Sequence, residues 1–429
     1  MTWLLALATV VPLAMAARRA LRPGGVEIDH VVIFSFGFLF YWILPVAAGA
    51  LRLFADEPAL ALWYRTYDSA ARSGGFIPFI ATALFAYLAF LGGDRLGTRV
   101  RLSPALPTRL PLLHDPRLLS LFLLPAVAIA AAYGWQLRGE LFTGYRTVYG
   151  ADSTRGTFTA ANVLLLVLCL LRWAEADYWR TGTRSWWRAA TDPFIVAYLT
   201  SAVLVLSLGG RLYIVSAMLM ALTYQSVFRR PLPLLPAILV PVAGALVAGV
   251  VGSLRLGYAP SPVAVAVNVL VEPLFTSFSL LHHIAQGEVP VFAAPRFLVS
   301  DFVNLVPTAV LPIKAQLLLD PAEYGHQVFA PGGALNSYFS FTINFGSVGM
   351  APVLFLLGWG LAVLKRRAAP HLRVRYCMLS GWLAFTIFRD AFSISIVKNM
   401  FQFSILVPLL IVGACHVMTV VAPRRAAAA

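Results

Sequence analysis

The stretch Pro331–Gly349 reads PGGALNSYFSFTINFGSVG and leads directly into the apolar run MAPVLFLLGWGLAVL. Small polar residues are therefore concentrated where a strongly apolar segment begins. Polar side chains in hydrocarbon cost free energy unless other groups hydrogen-bond them. On a helix that begins near Asn336, the side chains of Asn336, Ser340 and Asn344 lie on one face. Ser337 adds a further hydroxyl at the helix start.

Two interpretations fit this polar stripe. We predict that Asn336, Ser337, Ser340 and Asn344 bind a glycan in a cavity at the outer face of a membrane. The alternative is that these side chains hydrogen-bond packed helices to one another. In both cases Gly346 and Gly349 allow a neighbouring backbone to come close.

A second set of residues has the chemistry to bind an anion. Arginine forms paired, charge-assisted hydrogen bonds with phosphate. Several cations lie in segments predicted on the outer face, where membrane orientation does not require positive charge. We predict that five of them bind a diphosphate: Arg211, Arg255, Arg296, Arg389 and Lys314. The alternative for each is contact with lipid headgroups or a local ion pair, such as Arg389 with Asp390.

Two residues are candidate catalytic proton acceptors. Glu272 lies in the apolar run VLVEPLF, and His326 lies in AEYGHQVFAPGG, just before the polar stripe. Either side chain is of a type that accepts a proton from an attacking hydroxyl. The alternative for His326 is an ordinary surface histidine. The sequence contains no GxxxxGK[ST], no GxSxG and no metal-ligand spacing, so we predict chemistry without a metal or another cofactor.

The elements that position these residues follow from composition. The chain has 429 residues, of which 60% are hydrophobic and only 12% charged, and its mean hydropathy is +0.80. About a quarter of the residues of a soluble protein are charged. We therefore predict an all-α, polytopic integral membrane protein with a single transmembrane domain over 1–429. Eleven membrane-spanning helices are predicted, at 2–17, 31–51, 75–92, 118–134, 159–173, 193–208, 211–228, 233–253, 338–364, 375–390 and 399–420.

Charge distribution predicts the orientation. Most lysines and arginines fall in short loops that alternate helices place on one face, which the positive-inside rule assigns to the cytoplasm. The formal net charge of +15 therefore reflects orientation rather than nucleic-acid binding. The N-terminus is predicted outside and retained as a helix, with a signal peptide as the alternative, and the C-terminus is predicted in the cytoplasm. The longest outer loop, 254–337, is predicted to contain short helices near 264–285 and 296–306 at the membrane surface.

Part of this pattern resembles a known family. The runs NLVPTAVLPIKAQLL and EYGHQVFAPGGALNSYFSFTINFGSVGMAPVLFLLG resemble the last large periplasmic loop and following helix of bacterial polysaccharide repeat-unit polymerases of the Wzy type. SLGGRLYIVSAML, which contains Arg211, is similar to the glycine–arginine helix start of that family. The residues that match its outline are Pro307, Lys314, Gly332, Gly333, Asn336, Ser337, Asn344, Phe345, Gly346 and Gly349.

The resemblance implies a GT-C-like, inverting, metal-independent glycosyltransferase at the periplasmic face of the bacterial inner membrane. Such an enzyme polymerises oligosaccharide repeat units, as for O-antigen or exopolysaccharide, that are linked to undecaprenyl diphosphate. The implied partners are the lipid-linked oligosaccharide, membrane lipids, a chain-length regulator and a flippase, with no nucleic acid. An O-antigen ligase-like transferase, a lipid-linked glycan transporter or flippase, and a non-catalytic assembly subunit are the alternatives.

Overall fold

The protein is a bundle of long helices. The computed structural model describes residues 2–22, 24–101, 117–139, 153–179, 191–208, 210–255, 261–287, 289–295, 297–303, 306, 310–319, 336–367, 369–390 and 392–426. In chain order the helices are α1 Thr2–Ala20, α2 His30–Ala50, α3 Ala61–Ser73, α4 Phe76–Arg99, α5 Arg117–Gln136, α6 Ser153–Trp179, α7 Pro193–Ser207, α8 Arg211–Arg229, α9 Leu234–Arg255, α10 Pro262–Ala285, α11 Leu298–Val303, α12 Lys314–Leu317, α13 Ser337–Lys365, α14 Pro370–Leu383, α15 Thr386–Arg389 and α16, which joins Ser393–Leu406 to Val407–Ala426. Two short strands, Leu21–Arg22 and Gly25–Val26, form a hairpin.

The predicted all-α membrane architecture is confirmed. Nine helices among the described residues are long and apolar enough to cross a membrane. Each of the eleven predicted spans coincides with a helix, although Pro193–Ser207 is shorter than those nine and the predicted 375–390 is divided into α14 and α15. Helices α10 and α11 lie where short helices were predicted near 264–285 and 296–306, but α10 has 24 residues and is not short. Their predicted location at the membrane surface stays a prediction. The amphipathic helix α3 was not predicted, because its polar face lowers the mean hydropathy of the loop that contains it.

Four of the basic loops that were predicted to share one face meet at one end of the bundle, those at the ends of α1, α4, α8 and α13. Val26 pairs with Leu232 across a backbone bridge. The Arg366 guanidinium donates hydrogen bonds to the carbonyl oxygens of Thr98 at 3.0 Å and Val100 at 2.6 Å. These contacts join the segments after α1, α4, α8 and α13. That this end faces the cytoplasm stays a prediction.

Helices α4 and α13 pack closely along their length. A side chain at Gly93 or Gly97 would overlap the backbone of α13 at Phe355 and Trp359, and one at Gly358 would overlap the backbone of α4 at Phe90. Glycines at such positions let helix backbones approach closely where hydrocarbon surrounds the bundle. The packing of α4 against α13 holds the N-terminal end of α13 in place.

Helix α13 is interrupted at Gly346, whose φ of 81° and ψ of 175° are not helical. The chain segment around Val291 fills the interruption. Ser347 N donates to Pro290 O at 2.9 Å, and Val348 N donates to Val291 O at 3.3 Å. The predicted close approach of a backbone to Gly346 is confirmed, since a side chain there would overlap the Val291 carbonyl. Amide groups freed by the interruption thus find acceptors, which membrane-embedded backbone requires.

Candidate functional site

Arg211 begins helix α8, directly after Gly210. Its guanidinium lies against Gly252 of α9, where any side chain would overlap Arg211 Nη1. Arg211 and Arg229 stand at opposite ends of a helix about 27 Å long, at 1.5 Å per residue. Because Arg229 lies next to the Leu232 bridge, Arg211 is placed at the far end of the bundle from the basic loops.

Glu272 of α10 joins two of the predicted diphosphate-binding arginines. Its Oε2 lies 3.8 Å from Arg211 Nη2, and its Oε1 forms an ion pair with Arg389 Nε. The side chains of Arg211, Glu272 and Arg389 are 26%, 30% and 36% exposed, whereas the Nε atom of Arg389 that faces Glu272 is buried. The structure therefore brings together Arg211, Arg389 and Glu272, residues far apart in the sequence. We call these three residues the arginine–glutamate cluster.

Asp390 extends the cluster. Its Oδ1 accepts a hydrogen bond from Arg389 Nη1 at 2.9 Å, which is the local ion pair considered from the sequence. Lys398 of α16 interacts electrostatically with Asp390 and with Lys314 of α12. Lys398 therefore links the cluster to Lys314, which was predicted to bind the diphosphate.

An apolar pocket adjoins the arginine–glutamate cluster. It encloses about 730 Å³ between α2, α8, α9, α10 and the segment joining α14 to α15, and part of that space is open to the surroundings. Arg211 and Glu272 lie in its wall with Asn268 and the Tyr41 ring. The rest of the lining is apolar: Phe36, Phe40, Leu212, Val215, Met218, Leu219, Pro241, Ala245, Gly249, Val269 and Phe385. The arrangement suits an amphiphile that has an anionic group at one end.

One wall of the pocket is held in place by polar contacts between α9 and α10. Asn268 Nδ2 donates hydrogen bonds to Ser253 Oγ at 2.8 Å and to Ala264 O at 2.9 Å. Gly249 lets Val265 and Val269 of α10 pack against the α9 backbone. The Asn268 hydrogen bonds and the packing at Gly249 together hold α10 against α9, so that Glu272 lies opposite Gly252 and Arg211.

Glu272 was predicted to accept a proton during catalysis, and this role stays a prediction. Both of its oxygens face a guanidinium in the structure. The observed contacts are those of a counter-ion.

The polar stripe at the start of α13 lies in the protein interior rather than in the wall of the pocket. Asn336 caps the helix by accepting from Phe339 N at 2.7 Å, and its Nδ2 donates to Thr276 O of α10 at 2.6 Å. Ser337 Oγ donates to Asp390 O at 2.6 Å and contacts Ser395 Oγ. The first two residues of the stripe therefore tie α13 to α10 and to the chain beside Arg389.

The remaining two residues of the stripe hold other segments. Ser340 Oγ accepts from Phe392 N at 3.3 Å. Asn344 Oδ1 accepts from Phe297 N at 3.0 Å, while its Nδ2 donates to Ser340 O at 2.9 Å. All four side chains are buried, and the alternative of hydrogen-bonded packing accounts for these contacts. Glycan binding by the stripe stays a prediction that these contacts do not favour, since each side chain is already engaged with protein.

Three predicted site residues are described in part or not at all. His326 and Arg296 lie outside the described residues, and only the backbone of Arg255 is described. That backbone ends α9, one turn beyond Gly252. The roles predicted for these three residues stay predictions.

Several residues beside the cluster were not predicted from the sequence. Gly252, Asn268 and Tyr41 have no local signature of a site, and only the spacing of Gly249 and Gly252 on α9 hinted at a close contact. Asp390 was considered only as a partner of Arg389.

A second set of charges is buried at the opposite end of the bundle. Asp29 caps α2 and accepts from Lys365 Nζ at 2.7 Å, while His30 Nε2 lies 3.0 Å from Asp94 Oδ1. His30 Nδ1 lies 3.0 Å from the Tyr376 hydroxyl. Among the described residues, the network contains Arg19, Glu27, Asp29, His30, Asp94 and Lys365, with the hydroxyl of Tyr376. Its members pair with one another and join α1, α2, α4, α13 and α14.

The charges around Asp29 change its proton affinity. Burial alone would raise the pKa of Asp29, but the charges of His30 and Lys365, with hydrogen bonds from Lys365 and the Val32 amide, lower it to about 2. The ionised carboxylate is therefore part of the folded structure near neutral pH.

Comparison of the chain with protein-family models, with curated proteins and with solved structures gives no match. The features of this protein that bear on its function are therefore the geometry of the arginine–glutamate cluster and the residues that carry the family resemblance.

Proposed function

We propose that this multi-pass membrane protein is a glycosyltransferase that polymerises oligosaccharide repeat units linked to undecaprenyl diphosphate. The observation that carries the proposal is the arginine–glutamate cluster at the edge of an apolar pocket. An isoprenoid diphosphate matches this arrangement, since its strongly anionic headgroup suits the arginines and its apolar chain suits the pocket. We place the headgroup at Arg211 and Arg389 and the first isoprene units against the apolar lining.

The arginines would stabilise the leaving group. In the transfer, the bond between the anomeric carbon and the diphosphate oxygen breaks while a bond to the acceptor hydroxyl oxygen forms. Negative charge grows on the departing diphosphate, and fixed guanidinium groups lower the energy of that state. The hydroxyl proton passes to a base, for which Glu272 and His326 are the predicted candidates.

The proposal places the reaction at the periplasmic face of a bacterial inner membrane. It is supported by the separation of the arginine–glutamate cluster from the end where the basic loops meet. In the proposed orientation the positive-inside rule assigns that basic end to the cytoplasm. A flippase would then supply the lipid-linked repeat unit, which would reach the pocket from the outer leaflet. A chain-length regulator would act on the polymer at the same face of the membrane.

The test is polymerisation by the purified, full-length protein in detergent micelles. Given only undecaprenyl-diphosphate-linked repeat units, the protein should release undecaprenyl diphosphate and form longer glycans. Arg211→Ala should lower the rate by about 100-fold or more, as expected when one preorganised charge donor is lost. Arg52→Ala is the matched control, because Arg52 pairs with Asp68 at an exposed position outside the cluster.

The outcome also separates the alternatives. Transfer of the glycan only to an acceptor that lacks the lipid diphosphate would support the ligase. Movement of the lipid-linked glycan across a vesicle membrane without product would support the transporter. Full activity of Arg211→Ala would show that Arg211 takes no part in the reaction.

A further inference from the structure

The Glu272 carboxylate occupies the position between two guanidinium groups. One of its oxygens pairs with Arg389 and the other faces Arg211. A phosphate group also presents two oxygens to arginine, so a carboxylate in this position resembles a bound phosphate. An anion that bridges the same two nitrogens, Arg211 Nη2 and Arg389 Nε, must take the place of the Glu272 carboxylate.

We propose that Glu272 is an internal competitor that a diphosphate group must displace from Arg211 and Arg389. The inference rests on the proposed function for the identity of the ligand, but its chemistry requires only a diphosphate. A guanidinium without a counter-ion beside an apolar pocket is costly, so a carboxylate stabilises the empty site. A diphosphate carries more negative charge than one carboxylate and would replace it between the arginines.

The contacts around Glu272 allow this exchange. On the Arg211 side its distance of 3.8 Å from Nη2 is longer than a hydrogen bond, so only the close ion pair with Arg389 must be replaced at hydrogen-bonding distance. Glu272 also lines the pocket, which provides space for its side chain.

Both arginines keep a second support when Glu272 moves. Asp390 Oδ1 still accepts from Arg389 Nη1 at 2.9 Å. The guanidinium of Arg211 still lies over Gly252, next to Asn268. The two cations therefore remain positioned for the incoming group, and Glu272 sets the affinity rather than the geometry.

The experiment is a binding titration of the full-length protein in detergent at fixed ionic strength. Two probes are used: inorganic pyrophosphate, which has no chain, and farnesyl diphosphate, which has a short isoprenoid chain. Glu272→Gln removes the competing charge and keeps the side-chain size. We expect it to bind pyrophosphate at least ten-fold more tightly than the wild-type protein, which corresponds to about 1.4 kcal/mol.

The second probe locates the chain. Glu272→Gln should raise the affinity for both probes by a similar factor, because only the diphosphate headgroup displaces the Glu272 side chain. Tighter binding of farnesyl diphosphate than of pyrophosphate to the same protein would place the chain in the apolar pocket. Equal binding of the two probes would assign the arginine–glutamate cluster to a free diphosphate and leave the competitor role of Glu272 intact.

Two variants complete the design. Asp68→Asn removes a carboxylate from the exposed Arg52–Asp68 pair and should leave both dissociation constants unchanged. Glu272→Asp keeps the charge on a side chain one methylene shorter, which cannot reach both arginines equally. It should tighten binding, but less than Glu272→Gln, and it provides the test if Glu272→Gln does not fold.

Unchanged or weaker binding in a folded Glu272→Gln protein, or in Glu272→Asp if only that variant folds, overturns the inference. Such a result would mean that Glu272 holds the arginines in place for the ligand. Binding needs no turnover, so this failure is distinct from failure of the proposed function. Tighter pyrophosphate binding without glycan polymerisation would keep the competitor role and reject glycosyl transfer.

Discussion

Replacement of Gly252 by alanine tests whether the position of Arg211 matters, without changing Arg211 itself. The added methyl group would overlap Arg211 Nη1 and lie 3.3 Å from its Cζ. The end of a flexible side chain moves more easily than a helix backbone, so the guanidinium should shift while α9 and α8 stay in place. The 3.8 Å contact between Arg211 Nη2 and Glu272 Oε2 would be lost.

The expected size of the effect follows from that shift. Misplacement of a catalytic group by about 1 Å can lower a rate by about 100-fold. Alanine also favours a helix interior by about 1 kcal/mol relative to glycine. The Gly252→Ala protein should therefore polymerise glycans about 100-fold more slowly than the wild-type protein. Its melting temperature should be equal to or higher than that of the wild-type protein.

The assay pairs glycan chain length, measured on purified protein, with thermal unfolding in the same detergent. Gly360→Ala is the control, because Gly360 lies within α13 and nothing lies within 4 Å of the added methyl group. This control should gain helix stability and keep full activity. Wild-type activity in Gly252→Ala would contradict the reasoning that Arg211 must be held against α9.

Two further predictions concern stability and are measured by thermal unfolding in detergent. Gly346→Ala should destabilise the protein by about 1–3 kcal/mol, because φ is 81° there and a methyl group would overlap the Val291 backbone; a melting curve like that of Gly360→Ala would contradict this. Asp29→Asn should cost about 2 kcal/mol at neutral pH, since the folded-state pKa of Asp29 is about 2 against an ordinary value of 3.8. That contribution is present above about pH 4 and disappears as the pH falls towards 2, so the wild-type and Asp29→Asn melting temperatures should converge over this range. A difference that stays constant down to pH 2 would show that ionisation of Asp29 is not its source.

The arginine–glutamate cluster was predicted in part. Arg211, Arg389 and Glu272 were each selected as unusual charges in outer, apolar surroundings, and they do converge. That Glu272 faces both arginines was not predictable, because α8, α10 and α15 are separated by long stretches of chain. The same applies to Gly252, whose role depends on the helix that crosses it.

The polar stripe shows the opposite case. Its helical spacing was correct, yet the spacing of residues on one face does not reveal what that face contacts. Asn336 reaches Thr276, Ser337 reaches Asp390 and Asn344 reaches Phe297, all on other segments. A polar residue in an apolar run must find a partner, and both a ligand and a neighbouring backbone satisfy that requirement.

The sequence by itself determined the helices and the common location of the four basic loops at the ends of α1, α4, α8 and α13, because both depend on local hydropathy and on charge at helix ends. Tertiary structure alone decided which charges pair, which polar groups are already satisfied and where an apolar pocket remains. The physical reason is that a helix forms from contacts within a few residues, whereas a binding site forms where distant side chains meet in three dimensions.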